Sequence, residues 1–327
     1  MTSQLVEFTR TGYRQAEKLS ASLMSEGRTE RLPHIPLAQG LGLAVLVLGS
    51  GFVPVVAFAL FLAEGPSWVL MWTVILALFF TAKVAMWQAF APKGASASTF
   101  LRYSLGFGMA PRPFTRPGLT FESTTTAEWL VAAGKTLLGV VLIWGVTRLA
   151  IHPNHLLAGY AGMVGLFVLL GFGVPHFASM FWRRLGVNAE PIMHSPLLAR
   201  SLADFWGRRW NRAFHDVVCP LFCLPLVPKL GRGGAIIAGF LVSGLVHELV
   251  ISFPCRGGYG GPTAYFLVQA FGVLIQRRLV TLHLVRHRVI LSRISTFAFL
   301  TAPLPFLYPP LFVDRVVLPF LRVIGAA

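Results

Sequence analysis

Apolar positions in this chain come in long runs. About 20 apolar residues cross a bilayer as a helix, and Leu37 to Ala63 runs that far without a charged residue. Gly65 to Ala82 is a second run, continuing past Lys83 to about Phe90. A third runs from about Trp129 to Ala150, with Lys135 and Arg148 near its ends, and a fourth from near His155 to Phe181. A fifth, Gly233 to Phe253, carries His247 and Glu248. Pro262 to about Leu279 is the sixth, and Ile294 to Val313 the seventh. The last residues offer a half-span. Val217 to Val227 is apolar but short and proline-broken, as a re-entrant or interfacial piece would be. The pattern predicts an all-α, polytopic transmembrane helical bundle of about 7–9 spans with interfacial or re-entrant helices. Residues 1–36 form an N-terminal segment and 37–327 a single transmembrane domain, with no internal repeat.

The loop charges test this parse. With the N-terminus in the cytoplasm, the cytoplasmic segments hold 5 Lys/Arg (1–36), 4 (91–128), 8 (183–232) and 5 (277–293), 22 of the chain's 28. The opposite side holds 3, Arg256, Arg315 and Arg322, and Lys83, Lys135 and Arg148 belong to spans. Such a bias is what the positive-inside rule requires.

Composition agrees. Hydrophobic residues make up 55% of the 327 and charged residues 12%, with mean hydropathy +0.68. A soluble domain carries about 25% charged residues, so a soluble protein is excluded. The net charge of +16 then reads as basic loops meeting anionic lipid or an anionic ligand, not nucleic acid. The first 30 residues lack an apolar core, so no cleavable signal peptide is expected. Three cysteines, Cys219, Cys223 and Cys255, are too few for a disulfide framework, and Cys219 and Cys223 lack a nearby His pattern for a metal.

The chemistry concentrates in two stretches. His247 lies in GFLVSGLVHELVISF, and a helix starting at Gly233 places it about 21 Å along the axis. An ionisable residue at that depth faces a bundle interior or a cavity. Either a neighbouring helix satisfies it or it does proton chemistry. Ser243 and Gly244 share its helix face, and small residues there let a helix or a substrate approach. Glu248 points about 100° away. HELVI lacks the second His of HExxH, so no metal is expected. A neutral imidazole is well suited to take a proton from an alcohol.

The second stretch is SLADFWGRRWN, residues 201–211. As a helix it sets Phe205, Arg208, Arg209 and Arg212 three or four apart and stacks Trp206 on Trp210. Aromatics of this kind anchor helices at the membrane surface. The arginines also form a cationic patch suited to phosphate, as an acyl-CoA or an anionic lipid head group would bring. Asn211 can both donate and accept.

Together, SLADFWGRRWN and, some 36 residues later, SGLVHEL resemble the wax synthase-like branch of the membrane-bound O-acyltransferases (MBOATs). The resemblance is specific over about residues 195–255. It implies a helical membrane enzyme that moves an acyl group from acyl-CoA to a hydroxyl. His247 matches the family's catalytic His and Asn211 its paired polar position. Trp206, Arg209 and Trp210 match the surrounding motif, and Arg208, Arg209, Arg212, Trp206 and Trp210 are the expected contacts of the donor. No cofactor is expected to be bound permanently; acyl-CoA is the donor substrate, with a lipid alcohol as acceptor and membrane lipids around it. A linear parse leaves Asn211 and His247 far apart unless Val217 to Pro228 folds inward. Alternatives are an acetyl transfer to a specialised metabolite and, from another class, a proton-coupled transporter or lipid-binding protein using His247 and Glu248.

Four further features stand open. The loop from Ala91 to Thr126 reads either as an entrance lining or as a surface connector. His152 and His155 in HPNH lack a third metal ligand. His176, after Pro175, is a lesser tunnel candidate. Arg277 to Arg293 reads as a basic anchor on anionic lipid.

Overall fold

The computed structural model of the chain describes residues 65–116, 123–152, 154–281 and 289–327. The first expected span, Leu37 to Ala63, the N-terminal segment and the middle of the basic stretch Arg277 to Arg293 lie outside them. Among the described residues every regular element is helical. α1 is Ser67–Phe90, followed by the short α2 (Ala97–Ser104) and α3 (Arg112–Thr115). α4 is the run Thr126–Ala150 and α5 the run His155–Arg184. α6 is Leu202–Asp204, passing into a π-helical turn at Phe205–Arg209. The next run, Arg212–Cys255, divides at Gly231; its arms, residues 212–230 and 232–255, are α7 and α8. α9 is Gly261–Thr281, α10 Val289–Thr301, α11 Leu304–Leu307 and α12 Pro310–Val323.

Among the described residues four runs are long and apolar enough to cross a membrane: Ser67–Phe90, Thr126–Ala150, His155–Arg184 and Arg212–Cys255. A fifth is added if Ser292–Leu307 and Pro310–Val323, bent by 59°, count as one broken span. Helix starts follow from sequence. The Thr125 hydroxyl accepts from the Glu128 N–H, with Glu128 three residues on as in a capping box, and Asn154 accepts from the Leu157 N–H.

The run Arg212–Cys255 is a hairpin. In a straight helix Cys223 and Gly239 would stand about 24 Å apart, yet a Cβ on Gly239 would lie 2.4 Å from Cys223 Sγ and 3.5 Å from Val218. Gly231 makes the reversal, at φ 65°, ψ 177°, a region open essentially to glycine alone. Val217 to Val227 is therefore one arm of a folded-back pair rather than an interfacial piece, and its partner arm begins beside the expected Gly233. An added Cβ at Gly231 meets no atom within 4 Å, so Gly231→Ala costs only conformation, about 1–3 kcal/mol. A thermal midpoint lowered by a few degrees in detergent is the expected result; an unchanged midpoint would mean the chain does not reverse at this glycine.

The hairpin sets both ends of the bundle. At one end His155 meets Asp314 (3.5 Å) and Arg315 donates to the Cys255 carbonyl (3.1 Å). At the other, Arg183 pairs with Glu128, and Trp182 joins Phe114, which itself packs on Tyr103 beside Trp87. Gly233 lies near Leu274 and Gly244 near Thr263, so α8 and α9 are antiparallel. Phe90, Thr126, Arg184, Gly231 and Thr281 thus share one end, as the charge parse requires of them.

Prolines explain most of the π-helical turns. Of the six among the described residues, four (Val168–Gly173, Cys219–Cys223, Glu248–Ser252 and Val313–Val317) are followed two residues on by Pro175, Pro225, Pro254 and Pro319. Proline has no N–H, and its ring crowds the carbonyl four residues back; a widened turn carries that carbonyl away while the helix continues. Where prolines crowd, it breaks. The expected seventh run, Ile294 to Val313, ends at Thr301 and bends through a stretch holding Pro303, Pro305, Pro309 and Pro310 before α12.

The described first part of the expected loop, residues 91–116, is tied to α1. Lys83, fully buried inside α1, donates to the carbonyls of Tyr103 (2.8 Å) and Gly108, and the Tyr103 hydroxyl donates back to the carbonyls of Lys83 (3.2 Å) and Met109 (2.8 Å). This exchange fastens α2 and α3 to the Arg184 end.

Candidate active site

His247 ends the α-helical part of α8, at the start of the π turn Glu248–Ser252. Its Nδ1 lies 2.7 Å from the Ser243 carbonyl. A carbonyl only accepts, so Nδ1 carries the proton and Nε2 the lone pair. Among the described residues Nε2 makes no hydrogen bond. The ring lies 4.5 Å from Phe266 and 6.5 Å from Phe214 between centroids. The small residues before His247 serve neighbours. Gly244 admits Thr263 of α9, whose Cα would stand 2.8 Å from an added Cβ, and Ser243 is buried with its hydroxyl on the Gly239 carbonyl.

The stretch 201–211 is not one helix. The Ser201 hydroxyl caps the Asp204 N–H (3.0 Å), the chain runs through α6 and the π turn to Arg209, and Trp210 is extended. Asn211 then adopts the left-handed conformation (φ 39°, ψ 60°), which Asn tolerates. It caps α7: Oδ1 accepts from the Phe214 N–H at 3.2 Å. The side-chain amide is thereby oriented, with Nδ2 presenting its donors away from the cap.

This stretch also lies deeper than a surface anchor. Trp210 stacks on Phe167 (5.1 Å) and meets Phe172 (6.4 Å), about 18–25 Å along α5 from Arg184. Trp206 packs on Phe240 and Phe266, both at 5.7 Å, with Trp210 edge-on at 6.2 Å. Its indole donates to Gln269 (3.3 Å), which donates in turn to the Phe299 carbonyl (2.7 Å). The hairpin brings α7 back beside α8, so Phe214, capped by Asn211, reaches His247. The fold-back thus sets the first turn of α7, which Asn211 caps, beside His247 through the Phe214 ring.

The arginines are held by carboxylates. Asp204 accepts from Arg208 Nε (3.2 Å), Arg209 Nε (2.9 Å) and the Arg200 N–H (3.1 Å), and Arg212 pairs with Glu190 at 2.7 Å. Burial alone would raise the Asp204 carboxyl, but the Arg200 N–H and the two guanidinium groups outweigh it and hold it below the usual carboxylate range. Three arginines against two carboxylates leave one positive charge in excess. Asp204→Ala strands Arg209 in a partly buried setting, at a cost of about 3 kcal/mol. A lower thermal midpoint at neutral pH is expected. Because the folded carboxyl is depressed, its contribution is complete above the unfolded value of about 4 and fades as pH falls through the lower folded value. The difference between wild type and Asp204→Ala should therefore shrink only in acid; a constant difference down to pH 2 would show that the ionised carboxylate is not what counts.

His176 belongs elsewhere. It bonds Glu128 (3.2 Å) and Lys135 (3.3 Å), with Arg183 also on Glu128, a polar clamp between α4 and α5. His155 pairs with Asp314, while Asn154 caps α5. Sequence reasoning missed Phe214, Phe266, Glu190, Gln269 and Gln276, the last accepting from the Leu202 N–H at 2.8 Å. One signal existed: Gln269 and Gln276, seven apart in an apolar run, share a helix face.

Comparison with known proteins bears on the same residues. Residues 189–268 match the membrane bound O-acyl transferase family. "Probable long-chain-alcohol O-fatty-acyltransferase 1" of Arabidopsis thaliana is 30% identical over 159 residues, 45% of this chain and 44% of that protein. "Probable long-chain-alcohol O-fatty-acyltransferase 2" of the same plant is 41% identical over 80 residues, covering 22% and 23%. The "Long-chain-alcohol O-fatty-acyltransferase" of Simmondsia chinensis is 38% identical over 80 residues, again 22% and 23%. The matched stretches thus span less than half the length of these relatives. Residues 189–268, which hold the aromatic stretch 205–210, Asn211 and His247, are thus similar to the membrane bound O-acyl transferase family.

Proposed function

We propose that the protein is an acyl-CoA-dependent O-acyltransferase that esterifies a long-chain alcohol, giving a wax ester. The observation that carries this reading is the His247 imidazole. Its proton is held on Nδ1 by the Ser243 carbonyl, Nε2 carries the lone pair, and the ring of Phe214, whose N–H the Asn211 side chain caps, lies 6.5 Å from it. The acceptor hydroxyl attacks the thioester carbonyl as its proton passes to Nε2. The C–O bond forms, the C–S bond breaks, and the proton leaves with the CoA thiolate as free thiol. No enzyme nucleophile is required, because the thioester is already activated. Asn211 Nδ2 donates to the carbonyl oxygen as negative charge develops there.

In this reading the excess charge of Arg208, Arg209 and Arg212 meets the phosphates of CoA, and Trp206 and Trp210 wall the path of the acyl chain. The Arg184–Gly231 end is cytoplasmic, with the N-terminus, as the 22 of 28 loop cations suggest. We count Leu37 to Ala63, α9 and the broken pair as further spans, which with the four apolar runs makes seven. Proton transport is disfavoured because Glu248 Oε1 already accepts three hydrogen bonds from the start of α9, although Oε2 is buried without a partner among the described residues. The test is expression in membranes that lack other ester-forming acyltransferases. Labelled long-chain and acetyl donors would be supplied with fatty alcohols, diacylglycerol and sterol. Labelled wax ester with release of free CoA is expected. Ester from a different pair reassigns the substrates, and absence of ester with every pair refutes acyl transfer.

A further inference from the structure

Glu248 follows His247 directly, yet it turns to another helix. Its Oε1 accepts from the Gly260 N–H (3.0 Å), the Thr263 N–H (3.1 Å) and the Thr263 hydroxyl (2.9 Å). Those groups open α9, where N–H groups lack partners within the helix and a negative charge is favoured. Thr263 is touched from both sides of the catalytic turn: Glu248 bonds it, and Gly244 lies so close that a Cβ there would stand 2.8 Å from its Cα. One turn further along α9, Phe266 meets the imidazole at 4.5 Å and Trp206 at 5.7 Å. The next turn carries Gln269, which holds the Trp206 indole at 3.3 Å. A single carboxylate therefore ties the helix bearing His247 to the helix that walls the imidazole and supports the aromatic stretch.

We propose that Glu248 is a positioning residue for His247: its carboxylate docks the first turn of α9 and so sets Phe266 and Trp206 against the imidazole, without carrying a proton itself. The inference rests on the acyltransferase reading above. In chemical terms the joint governs the reach of Nε2 toward the acceptor hydroxyl and leaves donor binding, on the arginine side, untouched. A misplacement of about 1 Å is enough to cost about 10²-fold in rate.

The experiment compares wild type, Glu248→Ala, Glu248→Gln, Thr263→Ala and the double variant Glu248→Ala with Thr263→Ala. Ester formation per folded enzyme is measured in membranes, with kcat and the KM for acyl-CoA taken separately. Expected is a fall of about 10²-fold in kcat for Glu248→Ala with KM within about twofold. Gln keeps an acceptor at Oε1, so Glu248→Gln should recover to within a few-fold of wild type. The double variant should be no slower than Glu248→Ala, since both residues act through one joint. Glu248→Gln as slow as Glu248→Ala would make the carboxylate a proton carrier and overturn the proposal. An unchanged kcat in Glu248→Ala, or additive losses in the double variant, would overturn it as well. If Glu248→Ala fails to fold, the Gln and Thr263→Ala variants decide. An inactive wild type refutes the acyltransferase reading, whereas an active wild type with indifferent variants refutes only the positioning role.

Discussion

His247→Ala is expected to lower ester formation by at least about 10²–10⁴-fold, the range that general-base catalysis contributes. The fold should survive, because the only hydrogen bond of the side chain among the described residues goes to the Ser243 carbonyl of its own helix. Removing it leaves no distant donor or acceptor stranded. The ring is flanked by Phe266 and Phe214, so the loss of packing is small beside the loss of the base. The measurement is labelled ester per unit of protein in membranes, at matched expression and with the thermal midpoint as control. Equal ester from mutant and wild type would remove His247 as the base and send the search to another group within reach of the acceptor.

Asn211→Asp should be nearly as slow, by about 10²–10³-fold, the cost of losing one oxyanion donor. Asp keeps what the fold needs. Its carboxylate oxygen can still cap the Phe214 N–H, an anion is favoured at the start of α7, and Asp tolerates the left-handed backbone at φ 39°. Only the Nδ2 donor is lost, replaced by an oxygen that repels the developing charge. Asn211→Ala loses cap and donor together and should add a stability deficit of about 1 kcal/mol for the cap. The pair of variants separates the two roles, with thermal midpoint read beside activity. Full activity in Asn211→Asp would show that the amide nitrogen does not face the thioester and that Asn211 is a cap alone.

Much of this site could be read from local sequence. His247 stood out because an ionisable group in a long apolar run demands a partner or a purpose. Helix starts at Thr125 and Asn154 follow from hydroxyl and amide caps. The shared ends of the helices were implied by the alternation of basic loops. The stretch 201–211 was conspicuous, but its conformation was misjudged: spacing suggested one helix, while the left-handed Asn211 and the extended Trp210 divide it. Helical periodicity says nothing about a single residue at positive φ.

Sequence alone determined which segments are apolar enough to leave water and which residues are chemically able to move a proton or meet a phosphate. Those are properties of side chains and of their spacing along one helix. The tertiary structure decided which of them meet. A run of 44 helical residues, Arg212–Cys255, reads as one rod until Gly239 is found against Cys223; the reversal depends on one glycine whose backbone freedom leaves no periodic trace. The commitment of Arg212 to Glu190 and of Glu248 to Thr263 likewise joins residues that belong to different helices or loops. Pairing over such distances is set by packing of whole helices, and only the folded chain fixes it.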